Sequence, residues 1–238
     1  MEPANFTYLG LLILSLSYPL YKSFEGKIQF YKKFKYIFPA IVLTAIPFLA
    51  WDVAFETKHI WQFNPEYTLG LNILGLPIEE WLFFFVIPFA CFFIYEVMQY
   101  FFPAKTTKLI KVAAMVISLL FLLTAILTLH LSYTFISFIL ASVVLLIIAR
   151  WKAISYKLSS FFEGYLVSLL PFFLVNGVLT KMPVVLYNNG ENLSLRIFSI
   201  PVEDMVYLLS LLFINFTIYE ILRQHGERKK AKSAGRDR

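Results

Sequence analysis

One cysteine, three histidines and three aspartates in 238 residues each remove a class of chemistry. A lone Cys91 permits no intrachain disulfide and leaves the redox compartment unread. His59, His130 and His225 stand at segment ends without HxxH or HxxxH spacing, which argues against a membrane di-iron or zinc enzyme, so no metal is expected. Asp52, Asp204 and Asp237 cannot form the Asp-rich magnesium clusters that prenyl diphosphate enzymes use. Neither GxGxxG nor a P-loop occurs, so no nucleotide and no other cofactor is evident. Charge itself is scarce, at 15% of residues against about 25% in soluble domains. With 59% hydrophobic residues and a mean hydropathy of +0.72, the composition is that of an all-α integral membrane protein.

Seven apolar segments can be drawn, roughly 5–21, 36–55, 77–102, 112–129, 132–149, 161–180 and 201–222. Each is near the ~20 residues that cross a bilayer as a helix. The first contains Pro19, lacks the basic start of a cleaved signal and is expected to be retained. Stretches 22–35, 103–111 and 150–157 and the tail after Leu222 carry 18 of the 21 Lys and Arg, leaving Lys58, Lys181 and Arg196 on the other side. By the positive-inside rule the N-terminus lies outside, the C-terminus is cytoplasmic and the number of spans is odd. The chain is thus read as a multi-pass protein of the cytoplasmic (inner) membrane. Its +6 charge speaks of orientation and anionic membrane lipid, not of nucleic acid. The last segment has no lysine, which excludes a rhodopsin-type retinal Schiff base.

Pro77-Ile78-Glu79-Glu80-Trp81 opens the third segment and Tyr95-Glu96 closes it. Pro201-Val202-Glu203-Asp204-Met205 and Tyr219-Glu220 do the same in the seventh, 124 residues later. Laid over each other without gaps, 46–96 and 170–220 also share Pro47/Pro171 and Asn64/Asn188. Apolar composition yields chance Phe and Leu matches, but not matched Pro, Asn, Glu and Tyr-Glu in one frame. The expected architecture is seven transmembrane helices: a three-helix repeat over 1–110, a spacer helix over 111–130, a second repeat over 131–222 and a basic cytoplasmic tail over 223–238. An odd unit repeated directly comes out inverted. The spacer restores its direction, so the repeats are expected to be parallel, about an axis along the membrane normal.

Two adjacent acids at the mouth of a membrane-length segment are costly to keep there. Proline at a helix start and one acid in the first turn are explained by capping; the second acid, Glu80 or Asp204, is not. Glu79, Glu80, Glu203 and Asp204 are therefore the candidate catalytic residues. Trp81, Phe83, Phe84 and Tyr207 form a candidate aromatic wall for a substrate. Asp52 and its repeat partner Asn176 fall at the same depth and join the candidate substrate-binding set, with an interhelical hydrogen bond as the simpler account. Glu96 and Glu220 lie at the opposite ends, and Arg223, three residues after Glu220, points to ion pairing. A neutral carboxyl in an apolar pocket can protonate a poor base, and an ionised one can accept a proton. Aromatic faces stabilise a developing cation. Together these suit proton-initiated alkene chemistry. A proton- or cation-coupled transporter is the rival, although its site belongs near the midplane rather than at helix starts. A membrane scaffold leaves the doubled acids unexplained.

The doubled Pro-x-Glu-Glu/Asp in aromatic helices resembles the membrane lycopene cyclases of the heterodimeric type, in which two small subunits carry one copy each, and the cyclase half of fungal fusions with phytoene synthase. Phe63-Asn64-Pro65-Glu66-Tyr67 and Val175-Asn176-Gly177 extend the likeness to a single-chain bacterial version, over roughly residues 5–222. The resemblance implies an intramolecular lyase or isomerase of carotenoid biosynthesis. It would close the linear ends of lycopene to β-ionone rings, giving γ-carotene or β-carotene without net redox change. The implied partners are lycopene and membrane lipid, with other carotenoid enzymes or further copies of the chain as possible contacts. The second copy departs by Asp204 for Glu80 and Met205 for Trp81. Which acid donates, and whether one or both ends are cyclised, stays open here.

Overall fold

A computed structural model describes residues 2–103 and 105–234. Among them are seven α-helices: α1 (Thr7–Lys22), α2 (Phe34–Thr57), α3 (Ile78–Phe101), α4 (Lys108–Leu127), α5 (Ser132–Arg150), α6 (Leu158–Lys181) and α7 (Val202–Ala234). Six of these, α2 to α7, are long and apolar enough to cross a membrane. With 16 residues α1 is shorter, and a 3-10 turn over Pro3–Phe6 leads into it. The protein is all-α and membrane-embedded, and among the described residues strands occur only in the connections. Helix interiors keep Pro19, Pro39, Pro47, Pro88 and Pro171, as spanning helices do when neighbours and local adjustment satisfy the freed carbonyls.

Two ends differ from the sequence expectation. Helix α4 begins at Lys108 rather than near 112, because the Thr107 side chain accepts the Ile110 N–H at 3.3 Å and caps it. Helix α7 continues past 222 to Ala234, through a run of Arg, Gln, Glu and Lys that favours helix once the apolar stretch has ended. Arg236 and Arg238 of the basic tail lie outside the described residues.

The repeat is wider in space than in sequence. Helices α2 and α6 have the same bounds 124 residues apart, and so have the starts of α3 and α7. Each loop before a motif helix carries a strand, a 3-10 turn and a two-residue hairpin. In the first copy the hairpin pairs β2 (Asn72–Ile73) with β3 (Leu76–Pro77). In the second it pairs β5 (Arg196–Ile197) with β6 (Ile200–Pro201). The left-handed residues Leu74 (φ 53°) and Phe198 (φ 57°) make equivalent turns.

The leading strands join the copies: β1 (Trp61–Phe63) runs antiparallel to β4 (Val185–Tyr187) with Gln62 opposite Leu186. The Asn64 N–H donates to Val184 O and the Asn188 N–H to Ile60 O, each at 2.9 Å. Equivalent strands paired antiparallel about their own midpoints are what a two-fold axis produces.

Packing follows the same symmetry. Helix α1 lies on α3 as α5 lies on α7, while α6 packs on α3 as α2 packs on α7. Each motif helix is thus flanked by the second helix of the other copy. Helix α4 sits outside against α5. Ser118 and Ser142 donate to each other's carbonyl at 2.8 Å, and Ala114, Ala125 and Ala141 let the backbones approach.

Far from the acidic helix starts, the repeated Tyr-Glu pairs cross over: Tyr95 donates to Glu220 at 2.8 Å and Tyr219 to Glu96 at 2.5 Å. Lys33 pairs with Glu96, Lys157 with Glu220 at 3.4 Å, and Arg223 with Glu220 at 3.1 Å. The Glu220–Arg223 pair expected from the spacing is present, but Glu220 is fully buried rather than reaching the surface. Helices α3 and α7 therefore run side by side in one direction, clasped at this end.

Candidate active site

Neighbouring residues of a helix point about 100° apart, so the two acids of each motif face different surroundings. Extended backbone at Pro77 delivers the chain into α3. Glu79 turns back to its own loop and accepts the Leu69 N–H at 2.7 Å. In the second copy Glu203 accepts the Leu193 N–H at 2.8 Å and the Thr134 hydroxyl at 2.6 Å. Both are fully buried, and each keeps one oxygen without a hydrogen-bond partner. The first acids thus fasten the loops that roof the site.

The second acids turn inward, onto a shared chamber. Glu80 and Asp204 line one chamber of about 70 Å³, together with Asp52, Asn176, Phe83 and Tyr207. The two walls are built differently. Asp204 accepts three hydrogen bonds: from Tyr133 at 2.6 Å, Asn176 at 2.7 Å and Tyr187 at 2.8 Å. Glu80 accepts one phenol, Tyr8, at 2.5 Å. Its other neighbour is the Asp52 carboxyl, within hydrogen-bonding reach, which itself accepts from Tyr207 at 3.1 Å. Asp52 stands where the second copy has Asn176, which converts an amide–carboxylate contact into a carboxyl–carboxyl contact. No Lys, Arg or His lines the chamber among the described residues. The acids are therefore balanced by hydroxyl and amide donors alone. Tyr187, on the roof strand, is held well above the ordinary phenol range by burial and by the Asp204 carboxylate, so it serves as a donor.

Of the ten residues singled out from sequence, Glu80, Asp204, Asp52, Asn176, Phe83 and Tyr207 line the chamber. Glu79 and Glu203 lie behind it. Trp81 instead donates its indole N–H to Ile73 O at 3.2 Å, bracing the hairpin, and Phe84 is buried against Phe48. Sequence reasoning missed Tyr8, Tyr133 and Tyr187. The first two are equivalent residues of α1 and α5 but stand 125 positions apart, so a gapless overlay at 124 hides them. Tyr187 has Phe63 as its partner, and nothing in the pattern marks it.

A second, larger cavity adjoins the first. It is an apolar groove of about 570 Å³ between α1, α3 and α6, and Phe83, Phe172, Asn176 and Leu208 border both spaces.

No curated protein and no solved structure matches the chain. A family model described as Lycopene cyclase matches residues 5–98 and 130–222, in the two blocks that the fold repeats. That match covers most of the protein, and the chain belongs to the lycopene cyclase family, enzymes of carotenoid biosynthesis with a lipophilic carotenoid substrate.

Proposed function

We propose that this protein closes the linear ends of lycopene to β-ionone rings, as an isomerase, in the single chamber that both repeats build. The observation that carries this reading is that Glu80 and Asp204, one from each copy, line the same chamber, with Asp52 on its wall and no basic residue among the chamber's described lining.

The asymmetry of the walls divides the work. Two carboxyls within hydrogen-bonding reach and without a cation hold a proton between them, so Asp52–Glu80 is the donor. Asp204, saturated by three donors, stays a carboxylate and is the acceptor. The donor proton adds to the CH carbon of the terminal double bond and leaves a tertiary cation. The electron pair of a nearby double bond closes the six-membered ring and carries the charge onto a ring carbon. Asp204 removes an adjacent ring proton, and the double bond re-forms. One proton enters and one leaves, no electrons are exchanged, and transfer from Asp204 back to Asp52–Glu80 resets the chamber. Phe83, Phe172, Trp61 and Tyr207 surround the passing cation with ring faces.

The same reading makes all seven helices spans, with α1 and its preceding turn crossing together and two parallel repeats related by an axis along the membrane normal. The Lys- and Arg-rich clasp end is cytoplasmic, and the chamber lies toward the outer side, with the N-terminus. The transporter alternative is not favoured by the family match. Expression in lycopene-accumulating cells tests the activity: pigment extraction is expected to give γ-carotene, β-carotene or both. Unchanged lycopene beside correctly inserted protein overturns it.

A further inference from the structure

The two-fold axis that duplicates the acids also duplicates the groove. A third cavity of about 610 Å³ lies between α2, α5 and α7. Its α2 wall has Pro47, Phe48, Trp51 and Ala54 where the first groove has Pro171, Phe172, Val175 and Val178 on α6. On α5, Ile136, Ile139, Leu140 and Val143 stand where α1 offers Leu11, Leu14, Ser15 and Tyr18. The grooves are therefore counterparts, yet they differ in where they lead. The first shares four wall residues with the acid chamber and the second shares none.

The difference traces to one side chain. At the inner end of the second groove the Trp51 ring stands against Tyr207, with centroids 4.9 Å apart, and is flanked by Phe48 at 5.6 Å and Phe55 at 5.4 Å. Tyr207 is itself a chamber wall. In the first groove the equivalent positions hold Val175 and Phe83. Valine is much smaller than the indole, and the groove it lines borders the chamber through Phe83, Phe172, Asn176 and Leu208.

We infer that the α1–α3–α6 groove is the binding site for the extended apolar polyene behind the reacting end, and that Trp51 makes the chamber one-mouthed by sealing its counterpart. The inference rests on the cyclisation reading for the identity of the polyene, and on the groove asymmetry for the rest. Three features fit this occupant. The groove is lined mostly by apolar side chains, it borders the acid chamber through four shared residues, and Leu14, Tyr18 and Leu174 on its lip are exposed on the apolar helix surface, where a bilayer-dissolved chain would enter. A chamber with one mouth admits one chain end at a time. The far end, linear or already ringed, stays outside, so a two-ring product requires two separate entries.

Single cysteines at equivalent lip positions test this. Leu14→Cys and Ile139→Cys are each made in a Cys91→Ser, Glu80→Gln background, so that turnover does not consume the polyene. The proteins are reconstituted in phosphatidylcholine vesicles with and without lycopene, and N-ethylmaleimide labelling is read by mass spectrometry. Lycopene is expected to slow labelling at position 14 at least fivefold and to leave position 139 unchanged. Adding Trp51→Val should bring protection to position 139, and adding Val175→Trp should abolish it at 14. Equal protection at both sites, protection at neither, or protection at 139 alone overturns the inference. Ring formation by the unsubstituted protein is read separately. Its failure would remove the cyclisation reading while leaving the groove result to stand or fall on labelling.

Discussion

Asp52→Asn separates the donor wall from the acceptor wall with one atom changed. The amide keeps the size of the side chain and still offers an oxygen to the Tyr207 hydroxyl, now 3.1 Å from Oδ1. The stability cost is therefore that of one altered hydrogen bond, about 1 kcal/mol. What disappears is the second carboxyl beside Glu80, and with it the shared proton. Loss of a general acid costs roughly 10²–10⁴ in rate, or about 2.7–5.5 kcal/mol of barrier. The activity change thus exceeds the stability change by a margin that identifies its cause.

The pseudo-symmetry supplies a control. Asn176 is the counterpart of Asp52 and donates to Asp204 at 2.7 Å. Asn176→Asp added to Asp52→Asn rebuilds a carboxyl pair on the opposite wall, with Asp204, and leaves Glu80 as the lone carboxylate. The double substitution is expected to regain at least tenfold over Asp52→Asn alone. The assay is single-turnover ring formation from lycopene in vesicles with enzyme in excess, followed by chromatography and normalised to monodisperse protein. An Asp52→Asn protein within threefold of the unsubstituted rate would refute the donor assignment.

Glu79→Gln keeps the acceptor for the Leu69 N–H, so its rate should exceed that of Glu80→Gln at least tenfold. Glu79→Ala should lower thermal stability by about 1–3 kcal/mol, the cost of a buried donor left unmade, and equal rates for the two Gln variants would return Glu79 to the chemistry. Gly164→Val tests the core where α6 crosses α3 and α7: a Cβ there would sit 3.0 Å from Tyr95 and 3.2 Å from Phe216. Overpacking of this kind costs about 1–3 kcal/mol, visible as a lower unfolding temperature with turnover per folded molecule unchanged. Glu220→Gln removes the buried partner of Lys157 and Arg223. It should cost about 3–5 kcal/mol of stability and reduce membrane yield while the surviving protein cyclises normally. A loss of turnover at full yield would place the clasp in the reaction.

Helix positions were legible because each span is an apolar run bounded by charge or turn residues, and most bounds fell within a few positions of those found. The end of α7 was not, since helix propensity outlasts hydropathy in the run after Leu222. The acid motifs were legible because Pro, Glu and Asp are rare enough in such segments for their recurrence to register. Their division of labour was not. Glu79 and Glu80 are adjacent in sequence and equal in chemistry, and only the helical rotation between them sends one to the Leu69 N–H and the other to Tyr8. The sharing of one chamber by Glu80 and Asp204, and the Tyr207 hydrogen bond to Asp52, arise because the two-fold axis brings the copies together through β1 and β4, and periodicity carries no trace of that crossing. The identity of the open groove depends on Trp51 against Val175, a difference in bulk on a helix wall that an apolar run in sequence does not register.

The central claim is that one chamber, not one site per repeat, does the chemistry. Asp204→Asn addresses it most directly, because a separate first-copy site would leave Glu79, Glu80 and Asp52 intact. The measurement is the initial rate of one-ring product from lycopene by Asp204→Asn protein in vesicles, per folded molecule. A shared chamber that has lost its proton acceptor should run at least 100-fold slower. A rate near half that of the unsubstituted protein would mean two independent sites and would contradict the account.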